Sequence, residues 1–233
     1  MTKTTLITGS NKGLGRETAR RLLAEGHQVW VAARDTALGQ AAADELGARF
    51  VQLDVTDDAS VTAAAALVTA ATGGRLDVLI NNAGIAGGRK PAGEVTADDV
   101  RRVFETNVFG VVRVTRAFLP LLERSDDPVI VNLSSGMGSI AVTTDPGRLE
   151  STLIGIAYPA SKTAVNMITT QYAKAFPQIR INAVDPGYTA TDLNGHNGTQ
   201  NVQEGTNAIV AMATVDPSGP TGTFVDRIGA VAW

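Results

Sequence analysis

Residues 5–15, TLITGSNKGLG, decide how this chain folds. The first four residues are apolar or β-branched, as in a buried strand, and the glycines that follow allow a tight turn. From residue 14 to residue 25, apolar side chains recur at helical spacing. In a unit of strand, glycine-rich turn and helix, a pyrophosphate can approach the bare backbone at the amino end of the helix. The G-x-x-x-G-x-G spacing differs from a P-loop, which would close on Gly-Lys-Ser/Thr.

The same alternation of short apolar strands and longer helices continues along the chain. Strands that are apolar throughout and separated by helices indicate a parallel sheet that is covered on both faces. We therefore expect a single-domain α/β fold over residues 1–233, a Rossmann-type doubly wound parallel sheet. The long 97–123 segment is predicted as one helix or as two helices joined near Asn107. Periodicity predicts the other strands at 28–33, 50–53, 78–80, 129–133, 179–184 and 222–225, and the other helices at 35–46, 60–72 and 158–176.

Composition excludes several classes of function. With 44% hydrophobic and 18% charged residues, the 233-residue chain can build a full core. The formal net charge of −3 is a poor match for nucleic acid phosphates. The absence of cysteine excludes disulfides, thiol nucleophiles and iron–sulfur clusters, and two histidines are too few to suggest a metal site. No leader and no membrane-spanning stretch is apparent, so we expect a cytoplasmic protein with no metal, no nucleic acid partner and no membrane contact.

The residue after the second predicted strand bears on the choice of cofactor. An NAD-binding protein usually carries a carboxylate there, about twenty residues after the glycines, to bind the ribose hydroxyls. This chain instead has Ala33 followed by Arg34, and a guanidinium fork suits a 2′-phosphate. Lys12 adds a second cation from the glycine-rich loop. These residues predict NADP(H), although Arg34 could also be a solvated residue paired with Asp35.

Two further motifs carry groups that could do proton chemistry. In YPASK, residues 158–162, Tyr158 and Lys162 share one helix face. A phenol has a free pKa of about 10, and a neighbouring cation lowers that pKa by stabilising the phenolate. In NLSSG, residues 132–136, a hydroxyl at a strand end can polarise a carbonyl group. Because side chains alternate along a strand, only one of Ser134 and Ser135 can face the site.

Together these motifs resemble the short-chain dehydrogenase/reductase family. The similarity runs from residue 5 to about residue 192 and includes NNAG at 81–84, TNVFG around Asn107, and DPGYTATD at 185–192. The GSNKGLG loop and AARDTALGQAA at 32–42 are similar to the NADPH-dependent carbonyl reductase branch of the family.

The resemblance implies a role for each matching residue. Ser135 would bind the substrate carbonyl and Tyr158 would give it a proton as hydride arrives. Lys162 would hold the nicotinamide ribose and depress the pKa of Tyr158, and Asn107 would hold a water that links Lys162 to solvent. Asp54 and Val55 would flank the adenine, Asn82 and Ala83 would lie along the ribose, and Thr189 and Thr191 would face the nicotinamide carboxamide. The full set of expected cofactor contacts is Gly9, Asn11, Lys12, Gly13, Leu14, Gly15, Arg34, Asp54, Val55, Asn82, Ala83, Gly84, Tyr158, Lys162, Pro186, Gly187, Thr189 and Thr191.

The substrate loops are expected at about 136–156 and 188–213. Ser135 and Tyr158 are 23 residues apart, farther than in compact members of the family. We interpret 137–156 as a lid or an interface insert, with a plain surface loop as the alternative, and we expect 202–213 to cap a rather open pocket. The side chains expected near it favour neutral, apolar carbonyl substrates: Ile140, Val142, Leu153, Ile154 and Tyr188.

The sequence thus predicts an enzyme that reduces a ketone or aldehyde with NADPH, reversibly. One alternative is a 3-oxoacyl carrier-protein reductase, which would need a basic patch such as Arg101, Arg102, Arg113 and Arg116. Another is a catalytically silent NADP-sensing or scaffold protein, which should have a damaged Asn, Ser, Tyr and Lys set. A homodimer or tetramer formed through the helices at 108–122 and 158–176 is also expected.

Overall fold

A single twisted sheet organises the fold. The computed structural model describes residues 2–88 and 90–233, and within them seven strands pair in the order β3-β2-β1-β4-β5-β6-β7. All six pairings are parallel. The strand order reverses between β1 and β4, so a crevice opens beyond the carboxyl ends of these two strands. The strands are β1 Thr4–Thr8, β2 Gln28–Ala33, β3 Arg49–Gln52, β4 Val78–Asn81, β5 Val129–Leu133, β6 Arg180–Val184 and β7 Phe224–Val225.

Helices connect the strands and cover both faces of the sheet. The predicted doubly wound parallel sheet is confirmed, with boundaries that shift by one or two residues. Within the described residues the α-helices are α1 Gly13–Ala24, α2 Thr36–Leu46, α3 Asp58–Thr72, α4 Ala97–Phe104, α5 Gly110–Leu122, α6 Ile140–Thr144, α7 Ala157–Ala175, α8 Val202–Gly205 and α9 Asn207–Ala213. None of them has both the length and the apolar run that a membrane crossing needs.

Two hydrophobic clusters sandwich the sheet. Leu6 and Leu79 belong to the cluster that contains Phe118 of α5. Their neighbours Ile7 and Ile80 belong to the opposite cluster, with residues of α1, α2 and α9. The side chains of adjacent strand residues are therefore buried on opposite faces of the sheet. This explains why the central strands are apolar at consecutive positions.

The predicted 97–123 helix divides where the sequence suggested. A π-helical turn, Glu105–Phe109, separates α4 from α5 and contains Asn107. Such turns are inserted into α-helices mostly at functional positions, because they redirect one side chain without ending the helix.

The two expected substrate loops, 136–156 and 188–213, contain short helices. The insert holds 3-10 turns at Gly136–Gly138 and Leu149–Thr152 on either side of α6. Residues 202–213, expected to cap the pocket, pack on β5, β6 and α1, and Ile209 and Val210 of α9 are buried against the sheet. Arg21 of α1 also donates to the Gln203 carbonyl oxygen at 3.1 Å, which holds α8 in place.

Candidate active site

The loops that follow β1 and β4 are in direct contact. Gly9 has a φ of +62°, and a Cβ there would lie 3.0 Å from the Cα of Ala83. A Cβ on Gly15 would lie 2.5 Å from Asn82 Nδ2. That amide nitrogen donates to the carbonyl oxygens of Thr8 and Gly9 at 2.7 and 3.0 Å. The glycines therefore allow a close approach that the Asn82 side chain then fixes.

The amino end of α1 is suited to an anion. The helix begins at Gly13, Lys12 provides no side-chain cap, and the first turn contains no acidic residue. The first N–H groups of a helix lack intrahelical partners and carry the positive end of its dipole. A Cβ added to Gly13 would meet no atom closer than Thr191, at 3.8 Å. The loop thus fits the pyrophosphate of a dinucleotide, and Thr191 lies over this loop.

The two cations expected to select NADP(H) lie in different surroundings. Lys12 Nζ is 2.6 Å from Asp192 Oδ2, and His196 Nε2 is 2.9 Å from the other oxygen of that carboxylate. Arg34 is exposed and forms no ion pair within the described residues. Asp35 instead accepts the Leu38 N–H as the cap of α2, and no Arg34–Asp35 ion pair forms in this structure.

Tyr158 and Lys162 lie one turn apart on α7, with Lys162 buried. The Lys162 ammonium is 5.6 Å from the centre of the Tyr158 ring and donates to the carbonyl oxygen of Leu133 at 2.7 Å. A Cβ added to Gly84 would lie 3.7 Å from the same nitrogen. Lys162, near the start of α7, therefore lies against the carboxyl ends of both β4 and β5.

Burial shifts both pKa values away from their usual ranges. It raises the pKa of Tyr158 to about 12, although a hydrogen bond with the Ser135 side chain acts in the opposite direction. It lowers the pKa of Lys162 to about 8, against the effect of the nearby Asp185 carboxyl. The lowered phenol pKa expected from Lys162 is thus absent in this structure, because removing a phenolate from water dominates. The phenol is protonated at neutral pH, as a proton donor must be.

The two serines after β5 face opposite ways. Ser134 is buried, and its hydroxyl donates to Asn166 Oδ1 on α7 at 2.5 Å. Ser135 is partly exposed, accepts the Met137 N–H at 3.2 Å and lies close enough to the Tyr158 hydroxyl to lower its pKa. Only Ser135 is therefore available to a ligand.

Asn107 connects β4 to α7 through the π-helical turn. Its Oδ1 accepts the Ile85 N–H at 2.8 Å, and its Nδ2 donates to the Ile85 carbonyl oxygen at 2.9 Å and to Ser161 Oγ at 3.0 Å. Ser161 directly precedes Lys162, so these bonds fix the helix turn that carries the ammonium.

Asp185 is a buried carboxyl that the sequence analysis did not single out. Its Oδ1 accepts the Gly187 N–H at 2.9 Å. A Cβ on Gly136 would lie 3.0 Å from its Oδ2, so it also touches the turn after Ser135. Burial raises the pKa of Asp185, and the N–H groups of Gly187 and Gly136 oppose the shift. The only available signal was a carboxylate at a strand end, directly before Pro-Gly.

Other residues expected to contact the cofactor differ in their exposure to solvent. Asp54 is partly exposed and accepts the Thr56 N–H at 2.9 Å, while Val55 is buried beside Gly110. Thr189 is 4% exposed, and its hydroxyl donates to the Pro186 carbonyl oxygen at 3.0 Å. The Thr189 side chain thus packs inside the protein, and its backbone carbonyl oxygen accepts a hydrogen bond from Asn194 Nδ2 at 2.9 Å.

The insert forms a cleft of about 300 Å³ beside the first turns of α7, lined by both apolar and hydroxyl side chains. Ile140, Leu153 and Ile154 line it, and Ile154 is 87% exposed. Val142, expected to face the substrate, is buried instead because it lies on the inner side of the short α6. Neither Ser135 nor Tyr158 lines this cleft.

The crevice thus combines a glycine-rich loop that fits a pyrophosphate with a Ser, Tyr, Lys and Asn group, as in oxidoreductases that use nicotinamide cofactors. The short chain dehydrogenase family matches residues 3–202. The chain belongs to the short-chain dehydrogenase/reductase family.

Similar proteins with assigned names cover nearly the whole chain. A short-chain dehydrogenase, anuI, from Penicillium roqueforti is 38% identical over 95% of this chain and 92% of its own length. The (+)-neomenthol dehydrogenase of Capsicum annuum is 30% identical over 97% of this chain and 96% of its own. The crystal structure of an NADPH-bound carbonyl reductase from chicken fatty liver superposes with a TM-score of 0.88, at 29% identity over 100% and 99% of the two chains.

Proposed function

We propose that this protein reduces a ketone or an aldehyde to the alcohol with NADPH, in a reversible reaction. The observation that carries the proposal is the meeting of Ser135, Tyr158 and Lys162 at the carboxyl end of β5. A partly exposed hydroxyl, a protonated phenol and a buried ammonium face one crevice, next to a loop that fits a pyrophosphate.

Each of these side chains has one task in the reaction. When bound, NADPH would supply the hydride for the carbonyl carbon. Ser135 donates a hydrogen bond to the carbonyl oxygen and Tyr158 transfers its proton to that oxygen as negative charge develops. Lys162 would donate to the ribose hydroxyls of the bound cofactor and would stabilise the phenolate that remains. Asn107 holds the turn of α7 that carries Lys162.

Charge at the adenosine end supports NADPH over NADH. Arg34 directly follows β2 and is exposed, and Lys12 lies in the glycine-rich loop. No carboxylate occupies the position of Arg34 to bind the ribose hydroxyls. The related chicken carbonyl reductase was crystallised with NADPH.

We further propose a small, neutral and apolar carbonyl substrate. The names of the relatives include a neomenthol dehydrogenase, which fits an apolar cyclic alcohol. Exposed apolar residues of the insert, such as Ile140 and Leu153, could extend such a site. Residues 1–233 would act as one dinucleotide-binding and catalytic domain. The cytoplasmic location and the dimer or tetramer stay predictions.

The alternatives receive little support. Arg101 pairs with Asp98, and Arg113 pairs with Asp58 and Glu105, so carboxylates neutralise much of the basic patch that an acyl carrier protein would need. A silent, NADP-sensing protein should lack part of the reactive group, and all four side chains are present.

The proposal is tested by following NADPH and NADH absorbance against a panel of apolar ketones, aldehydes and β-ketoesters. We expect turnover with NADPH. Tyr158→Phe should lower kcat at least about a thousandfold, because general acid catalysis and its coupled charge stabilisation are lost, while NADPH still binds. Tyr172→Phe, on the same helix, is the matched control and should keep full activity. A Tyr158→Phe enzyme with most of its activity would refute the mechanism.

A further inference from the structure

A second cleft, of about 380 Å³, lies between the glycine-rich loop and α2. Lys12 and Arg16 contribute its positive charge, and Glu45 is the acidic residue in its lining. The α2 side also supplies Leu38, in the first turn of the helix that begins just after Arg34. The cleft therefore adjoins the position at which a ribose 2′-phosphate is expected.

The cations of this cleft are held by exposed carboxylates. Arg16 pairs with Glu45, whose side chain is 69% exposed, and Lys12 pairs with Asp192, which is 54% exposed. Surface pairs of this kind contribute little to stability, because water and salt screen them. A phosphate dianion offers two charges and three acceptor oxygens, and it can bind a guanidinium fork with two parallel hydrogen bonds. Such an anion competes well with a single exposed carboxylate.

The sequence of α2, TALGQAAADEL, contains no Lys or Arg. A phosphate in the cleft must therefore find its positive partners on the loop after β1, on α1 and at Arg34. Lys12 precedes α1, Arg16 lies in its first turn, and both side chains line the cleft. Arg16 is also partly exposed, at 37%, and can turn from Glu45 towards the cleft.

We propose that Arg16 binds the 2′-phosphate of NADPH, exchanging Glu45 for the phosphate, and so acts with Lys12 and Arg34 in selecting NADPH over NADH. This inference rests on the proposed function, because it presupposes a phosphorylated dinucleotide. Glu45 then sets the strength of the selection, because it holds Arg16 when no phosphate is bound.

The test compares the binding of 2′,5′-ADP and 5′-AMP to the purified protein by calorimetry. These probes differ in the phosphate on the 2′-oxygen, and their binding does not depend on turnover. Arg16→Met should weaken 2′,5′-ADP binding about tenfold, corresponding to about 1.4 kcal/mol, and leave 5′-AMP binding unchanged. Glu45→Gln should tighten 2′,5′-ADP binding severalfold. Arg20→Met removes an equal charge from α1 at the residue that pairs with Glu17, and it should change neither affinity.

The outcomes separate this inference from the proposed function. If the unmodified protein prefers 2′,5′-ADP and Arg16→Met keeps that preference, Arg16 has no part in it and the inference is wrong. Equal weakening by Arg16→Met and Arg20→Met would reduce the effect to overall charge and would also overturn it. If the unmodified protein binds both probes equally, the NADPH selectivity of the proposed function fails as well.

Discussion

Lys162 is the residue at which burial and function conflict most directly. Its ammonium is enclosed by the carboxyl ends of β4 and β5, and burial lowers its pKa to about 8. Removing an ammonium from water favours the neutral amine, while the Asp185 carboxyl and the Leu133 carbonyl oxygen favour the charged form. A neutral Lys162 could neither stabilise a phenolate nor bind ribose hydroxyls as a cation. The charge of this one side chain should therefore limit activity within the accessible pH range.

We expect cofactor binding to weaken as the pH rises through about 8. Below this pH Lys162 is charged, and above it the ammonium loses its proton, so the contribution of the cation disappears. With one proton linked, the dissociation constant of NADPH should rise by at most about tenfold per pH unit. Fluorescence titrations between pH 6.5 and 9.5 measure this directly.

Two variants assign the titration to Lys162. Lys162→Met should bind NADPH more weakly and show no change in affinity around pH 8. Asp185→Asn should move the loss of affinity to lower pH, because the carboxylate that favours the ammonium is gone. A wild-type affinity that stays constant across this range would contradict the assignment.

The π-helical turn between α4 and α5 determines where Asn107 projects. The side chain is 1% exposed and uses both ends of its amide, two bonds to the backbone of Ile85 and one to Ser161. This turn joins the loop after β4 to α7, so it acts as a spacer between the cofactor loop and the turn that carries Lys162. An α-helical continuation would rotate the side chain away from one of these partners.

Replacing Asn107 should therefore affect both stability and turnover. Asn107→Ala removes the partners of the Ile85 N–H and carbonyl oxygen and the donor to Ser161, whose hydroxyl keeps its bond to the Tyr158 carbonyl oxygen, so the free energy of unfolding should fall by about 2 kcal/mol. The rate of reduction should fall more than tenfold as the Lys162 turn loses its support. Urea unfolding and steady-state assays measure the two effects. Asn107→Asp keeps the acceptor for the Ile85 N–H and should lose less stability; equal losses would argue against this role.

Long periodic elements are predictable from the sequence, and short ones are not. β2 and β5 fall at the predicted residues, and α7 is displaced by one residue, because their apolar patterns span enough positions to be unambiguous. α6 and α8 have five and four residues, and helices this short form only when tertiary contacts hold them. Their existence depends on packing that no local pattern contains.

The candidate site divides in the same way. Gly9, Gly15, Tyr158 and Lys162 belong to motifs whose spacing alone brings the groups together. The inward rotation of Thr189 is set by its contact with Gly205 of α8, sixteen residues later, where a Cβ would lie 2.3 Å from its hydroxyl. The role of Asp185 likewise depends on contacts with the turn after β5. Such long-range contacts explain why the sequence predicts that Ser135, Tyr158 and Lys162 lie together and does not predict the residues around them.

At the scale of the whole molecule, the last residues of the chain hold the insert against the sheet. After β7 the chain reverses, and the Trp233 ring stacks on Phe224 with their centres 5.6 Å apart. Ser139 Oγ donates to the Ala232 carbonyl oxygen at 2.7 Å. The Ala141 N–H donates to the Trp233 carbonyl oxygen at 3.2 Å. The final segment thus fixes the start of α6, which borders the turn after Ser135.

Weakening this attachment should loosen the insert more than the sheet. Trp233→Ala removes the aromatic stacking and part of the buried apolar surface, so the free energy of unfolding should fall by about 1–2 kcal/mol. Limited proteolysis should cut within 140–156 faster than in the unmodified protein. If the insert shapes the substrate site, KM for the carbonyl substrate should rise while KM for NADPH stays constant. Trp233→Phe keeps a stacked ring and should resemble the parent protein. Unchanged proteolysis of the insert in Trp233→Ala would show that other contacts hold it, since the ring would then be dispensable for its order.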